Sequence, residues 1–169
     1  ARLFSSQTPP VGVDVILFDG EDYGESGDLD NYLLGSRYWA QNPPVPGYKP
    51  RFGILLDMVG GKGAVFPKEE YSMTYAPNLV DEIWSIASQK GYGDLFLNEQ
   101  GAGVIDDHVI INRESGIPFI DIIYHRRNLQ GGADFAPYWH TLDDDMDIIS
   151  LSTLQAVGEV LTELIYNRI

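Results

Sequence analysis

Short apolar runs rich in β-branched residues, with carboxylates in or just after them, constrain this chain more than any other feature. Val13 to Phe18 (VDVILF), Phe52 to Val59 (FGILLDMV) and Ile117 to Tyr124 (IPFIDIIY) are nearly continuous. Such runs suit strands buried on both faces of a parallel or mixed sheet. Leu95 to Leu97 reads as a further short strand. Between the runs lie helical patterns. Leu29 to Gln41 is stopped by Asn42-Pro43-Pro44. Pro77 to Lys90 sets Val80, Ile83, Trp84 and Ala87 on one face and is followed by Gly91. Asp107 to Ser115 ends at Gly116. Ser150 suits the N-cap of a last helix to about Asn167, with Leu154, Val157, Leu161, Leu164 and Ile165 on one side. Arg126 to Tyr138 is a polar, Gly-rich loop. Strands alternating with helices predict an α/β sandwich.

With 169 residues the chain has room for one domain with a real core. Its net charge of -14 argues against nucleic acid as a partner, because phosphates would be repelled. No apolar run approaches the ~18 residues of a membrane span. Cysteine is absent, so disulfides and thiolate metal sites are excluded. Any metal must be held by carboxylates and imidazoles. Ala1 to Gln7 (ARLFSSQ), ended by Thr8-Pro9-Pro10, reads like the last turns of a helix. A domain rarely starts inside a helix, so the chain is expected to be part of something longer.

Sites in open α/β sheets form at the carboxyl ends of strands. Glu21 and Asp22 follow the first run, Asp57 closes the second, and Asp106 and Asp107 follow the short strand. His140 lies in the loop after Tyr124. Adjacent carboxylates repel one another, and a cation is one remedy. Zinc takes both imidazole nitrogen and carboxylate oxygen, so Asp22 and His140 can supply two ligands. A neighbouring carboxylate that does not bind metal can move protons, which makes Glu21 a candidate general base and acid. Composition alone leaves solvated loops, or a calcium site in an Asp-rich turn, as alternatives. His108 reads as structural and His125, beside Arg126 and Arg127, as surface loop.

Several segments taken in order resemble the zinc exopeptidase family. Val13 to Asp22 is similar to that family's strand ending in two acidic residues, and Leu33 to Ala40 (LLGSRYWA) to the helix after it. Leu55 to Gly60 (LLDMVG), Asp106-Asp-His-Val109, Ser115 to Phe119 (SGIPF) and Trp139-His-Thr-Leu-Asp-Asp144 continue the match. The last of these resembles the glutaminyl cyclase branch, bacterial animal-type, more than the aminopeptidase branch. The resemblance implies a three-layer α/β sandwich with a mixed, mostly parallel central sheet. Residues 1–169 would be a single C-terminal part of the catalytic domain, its N-terminal half absent.

The function implied is a zinc enzyme that closes the N-terminal Gln of a peptide or protein into pyroglutamate and releases ammonia. Asp22 and His140 would bind the metal, with a further Asp from the part before Ala1. Glu21, Asp107 and Asp57 would be catalytic, Trp139 and Asp106 substrate-binding. The isolated fragment is expected to be inactive, and to self-associate or need its N-terminal half. An extracytoplasmic location, periplasmic or secreted, is expected. The rival readings are a two-zinc aminopeptidase, with Asp57 as a ligand, and a non-catalytic binding module.

Overall fold

The apolar runs and helical patterns of the sequence form strands and helices in the computed structural model, which describes residues 2–24, 27–28 and 31–169. In chain order these are α1 (Arg2–Ser6), α2 (Leu34–Gln41), β1 (Gly53–Asp57), β2 (Phe66–Lys68), α3 (Glu70–Tyr75), α4 (Pro77–Gln89), β3 (Phe96–Gln100), α5 (Asp107–Ser115), β4 (Phe119–Ile123), β5 (Arg126–Arg127), β6 (Ala133–Asp134) and α6 (Leu151–Glu163). A π-type turn, Leu164–Arg168, extends α6.

Among the described residues the strands form two-stranded ladders. β1 and β4 are parallel, with Asp57 opposite Ile123, and β2 and β3 are also parallel. β5 and β6 make a short antiparallel pair. Parallel strands demand crossovers, and the helices between them supply those and cover both faces. β4 is buried along its whole length, and its alternating side chains serve two layers. Ile120 and Ile122 enter a cluster with Phe66, Phe96, Val80, Ile83, Trp84 and Ala87, closed by Val157, Val160 and Leu164 of α6 and its extension. Each large apolar side chain buried there contributes about 1.5–3 kcal/mol. The Phe96 ring lies edge-on to both Phe66 and Trp84, and the Trp84 indole N–H donates to the Phe66 carbonyl at 3.0 Å. On the opposite face α2 packs on α5, tied by an Arg37–Glu114 ion pair.

The expected strand at Val13 to Phe18 is not formed. No strand of the described residues pairs with it, and Val15 and Leu17 are 69% and 93% exposed. An apolar strand of this kind needs neighbours at its edges, and here the run joins no ladder. The helix expected from Leu29 begins at Leu34, and Leu29 and Asp30 lie outside the described residues. His125, expected at the surface, is fully buried. It accepts from the Ala102 amide at 3.1 Å, and its Nδ1 lies 3.1 Å from the Ile123 carbonyl. That pairing requires a neutral ring with the proton on Nδ1, and burial lowers its pKa.

Candidate functional site

Asp57 ends β1 beside the end of β4, so both chains leave the sheet at one edge. The acidic loop after Val13–Phe18 is anchored by α2. The carbonyls of Asp19, Gly20 and Glu21 accept from the amides of Gly35, Leu34 and Leu33 at 2.9, 3.2 and 2.9 Å. α2 has no side-chain cap. The loop backbone therefore satisfies amides that the helix itself leaves unpaired. The approach is close: a Cβ on Gly35 would lie 2.6 Å from both the nitrogen and the oxygen of Asp19. Gly35→Ala is expected to lower unfolding free energy by about 1–3 kcal/mol, since backbone must move to admit the methyl. Gly158→Ala on α6, where a Cβ meets nothing within 4 Å, is the denaturant-melt control and should be neutral or stabilising.

At this edge His140 Nε2 and Asp22 Oδ2 stand 3.5 Å apart, although 118 positions separate them in sequence (140 minus 22), and each side chain is 52% exposed. The Tyr32 hydroxyl lies against Asp22; burial and that carboxylate both raise its pKa. Trp139 stacks on the His140 ring at 4.0 Å between centroids, and Phe135 packs on Trp139 at 4.6 Å. Trp139 remains 41% exposed, which leaves an apolar ring face open beside the pair. Non-glycine residues with left-handed backbone gather here: Leu33 (φ 57), Met58 after Asp57 (φ 50) and His140 itself (φ 57). Such conformations cost energy and persist where the surroundings impose them.

The remaining carboxylates crowd the pair. Burial pushes Glu21 up to about 7, with Asp57, Asp107 and Asp22 adding to the effect. Burial likewise takes Asp57 to about 6, offset in part by the Met58 amide and reinforced by Asp107, Asp22 and Asp144. Asp107 is buried and raised; the Ser36 hydroxyl and the His108 ring pull it back. Its Oδ1 has no hydrogen-bond partner. Asp106 is buried as the N-cap of α5, accepting from the Asp107 amide at 2.6 Å. The structure thus brings Glu21, Asp22, Asp57, Asp106, Asp107, His140 and Trp139 to one edge, with Asp106 also capping α5.

An imidazole nitrogen and a carboxylate oxygen at this separation form a donor pair that suits zinc. No group of three or more His, Cys, Asp or Glu able to hold a metal ion occurs among the described residues. The pair fits as part of a site.

Sequence reasoning passed over Tyr32, Ser36, Glu69 and Asp121; His108, read as structural, is fully buried with the last two. Asp121 carried a signal: it is the lone charge in IPFIDIIY.

An α/β sandwich with a carboxylate–imidazole pair and a half-buried acid beside the carboxyl end of β1 points to an exopeptidase-like fold. The model of peptidase family M28 matches residues 1–165, and the chain belongs to that family. It is similar to the crystal structure of Bacteroides thetaiotaomicron glutaminyl cyclase bound to N-acetylhistamine, with a TM-score of 0.90 and 45% identity over 99% of this chain and 58% of that one. A Zn-dependent exopeptidase from Parabacteroides distasonis gives a TM-score of 0.91 and 43% identity over 99% and 58%. Among curated proteins it is 25% identical to Bos taurus glutaminyl-peptide cyclotransferase, over 93% of this chain and 46% of that protein. The chain therefore spans about half to three-fifths of the length of these relatives.

Proposed function

We propose that the protein works as a glutaminyl-peptide cyclotransferase, closing N-terminal glutamine into pyroglutamate with release of ammonia. The observation that carries this reading is the Asp22–His140 pair set beside Glu21, with the Trp139 ring stacked on the imidazole. Asp22 and His140 would hold zinc together with a third donor from the part of the enzyme outside these residues. When bound, the ion supplies a positive charge that polarises the γ-amide carbonyl of the substrate.

Glu21 takes a proton from the substrate α-amine as that nitrogen attacks the γ-carbonyl carbon, and returns it to the departing ammonia. A carboxyl held near 7 both accepts and donates at neutral pH. Asp107 and Asp57 keep Glu21 from ionising too readily and orient the amine. The open face of Trp139 excludes water and forms a wall for the glutamine side chain. Asp106, which fixes the first turn of α5 through one oxygen and lies beside Glu21 and Asp57, would help to seat the substrate. The substrate is the N-terminus of a peptide or protein.

The exposed run Val13–Leu17 would be covered by strands from the rest of the enzyme, or by self-association where they are missing; without them zinc is held weakly and the fragment is inactive. An extracytoplasmic location is proposed with this function. No helix of the described residues is long and apolar enough to cross a membrane.

The second reading is an aminopeptidase, favoured by the exopeptidase neighbour and by Asp57, a carboxylate close enough to Asp22 to raise its own pKa. The test is turnover of glutaminyl and leucyl peptides by the whole natural protein, with zinc counted per chain. Pyroglutamate and ammonia from the first, one zinc and loss of activity on chelation are expected. Hydrolysis of the leucyl peptide without cyclisation, at two zincs per chain, would overturn the proposal.

A further inference from the structure

Behind the site lies a buried circuit with no assigned role. Glu69, His108 and Asp121 are each fully buried. Glu69 Oε1 accepts from the amides of Tyr71 and Val104, both at 2.9 Å. Its Oε2 accepts from the Ser72 amide at 2.6 Å and the Ser72 hydroxyl at 2.7 Å, and lies 3.1 Å from His108 Nε2. So many donors demand an ionised Glu69 and place a proton on His108 Nε2. The other ring nitrogen, Nδ1, is buried without a hydrogen-bond partner and stands 3.8 Å from Asp121 Oδ2. Neither Asp121 oxygen has a partner. The Asp121 amide donates to the Ser72 hydroxyl oxygen at 2.9 Å, which closes the ring of contacts.

A fully buried carboxylate with no protein donor is costly to keep ionised. The two orphaned atoms face each other at 3.8 Å, and one proton, on Asp121 or on His108 Nδ1, would answer both. Its position matters to the site, because His108 follows Asp107 in the first turn of α5. The charged groups facing Asp121 are Asp106 and Asp107 of the α5 start, Asp57 of β1 and Glu69 at the head of α3. A proton on His108 sets a positive charge beside Asp107, and a proton on Asp121 removes it. His125 also faces Glu69, but its Nε2 is spent on the Ala102 amide.

We propose that Glu69, His108 and Asp121 form a positioning relay that sets the charge and placement of Asp107 through one proton shared by Asp121 and His108 Nδ1. The activity readout rests on the cyclotransferase reading; the spectroscopic one does not. The whole natural protein, labelled with ¹⁵N-histidine, is compared with Asp121→Asn. In the parent, His108 Nδ1 should resonate away from the free unprotonated position. In Asp121→Asn it should move to that unprotonated position. With a glutaminyl peptide, the variant should shift the acid limb of kcat by about one pH unit or more while KM changes by less than about twofold.

A His108 Nδ1 already at the free, unpaired position in the parent, or one that is unmoved by Asp121→Asn, would overturn the relay whatever the reaction proves to be. So would superimposable pH profiles. If Asp121→Asn does not fold, the parent's Nδ1 resonance decides by itself. A protein that cyclises nothing but shows the Nδ1 shift would sink the proposed function and leave the relay standing.

Discussion

Glu21→Gln should reduce kcat on a glutaminyl peptide by about 10²–10⁴-fold, the range that positioned acid–base groups supply. Glutamine keeps the size and shape of the side chain. The Glu21 carbonyl still accepts from the Leu33 amide, so the anchor of the loop on α2 survives. Asp22 and His140 are untouched, so zinc content should equal that of the parent. What is lost is a carboxyl that burial and neighbouring acids hold near 7. An amide neither takes nor returns a proton. Kinetics and metal analysis on the same preparation check this. Parent-like turnover with parent-like zinc would remove Glu21 from the mechanism.

Glu69→Ala should cost about 3–5 kcal/mol of stability, the range for removing one member of a buried charged pair. The amides of Tyr71, Ser72 and Val104, the Ser72 hydroxyl and the His108 ring would all lose their acceptor. Glu69→Gln is not a rescue. It retains one oxygen but turns an NH₂ group toward Ser72 or Val104, setting donor against donor. The pH dependence is distinctive. Burial alone would raise Glu69, yet the His108 ring and the amides of Val104 and Tyr71 hold it at about 2 against an ordinary 4.5. A depressed carboxylate adds stability above its unfolded value and loses it as pH falls through the folded one. The gap between parent and variant in denaturant melts should therefore shrink as pH drops from about 4.5 toward 2. Burial raises Asp106 and Asp121 instead. Their contribution has the opposite sign: it is present in acid and lost as pH rises through their folded values. Taking the difference against the variant removes most of that background.

Local signals carried much of this fold. The helix predicted at Asp107 to Ser115 is found at those bounds, because a capping Asp106 precedes it and Gly116, at φ 70, ends it in the left-handed region. Pro77 and the apolar face of Val80, Ile83, Trp84 and Ala87 made α4 legible. Ser150 caps α6, accepting from the Thr153 amide at 3.2 Å. The same kind of evidence misled at Val13–Phe18, because an apolar run records a preference for burial and says nothing of the partner that provides it. His125 was misjudged from its arginine neighbours. His125 lies between β4 and β5 and is held inside by the Ala102 amide and the Ile123 carbonyl, while Arg126 and Arg127 beside it are exposed, so its neighbours in sequence say nothing of its burial. β2 and α3 went unread because Glu69 caps α3 with a long carboxylate where Ser, Thr, Asp or Asn is the usual sign. The nearness of Asp22 to His140 was legible only through family resemblance, since no spacing rule spans a loop-to-loop contact. The relay was out of reach altogether, because Glu69, His108 and Asp121 sit on three separate elements.

The left-handed residues Leu33, Met58 and His140 have a practical consequence for anyone improving this protein by selection. Each is a place where glycine or asparagine would relax the backbone. A screen that rewards heat resistance alone will drift toward those replacements, and each would slacken the very turns that aim the working side chains. Turnover must be selected alongside survival, or the hardier descendants will be the idle ones.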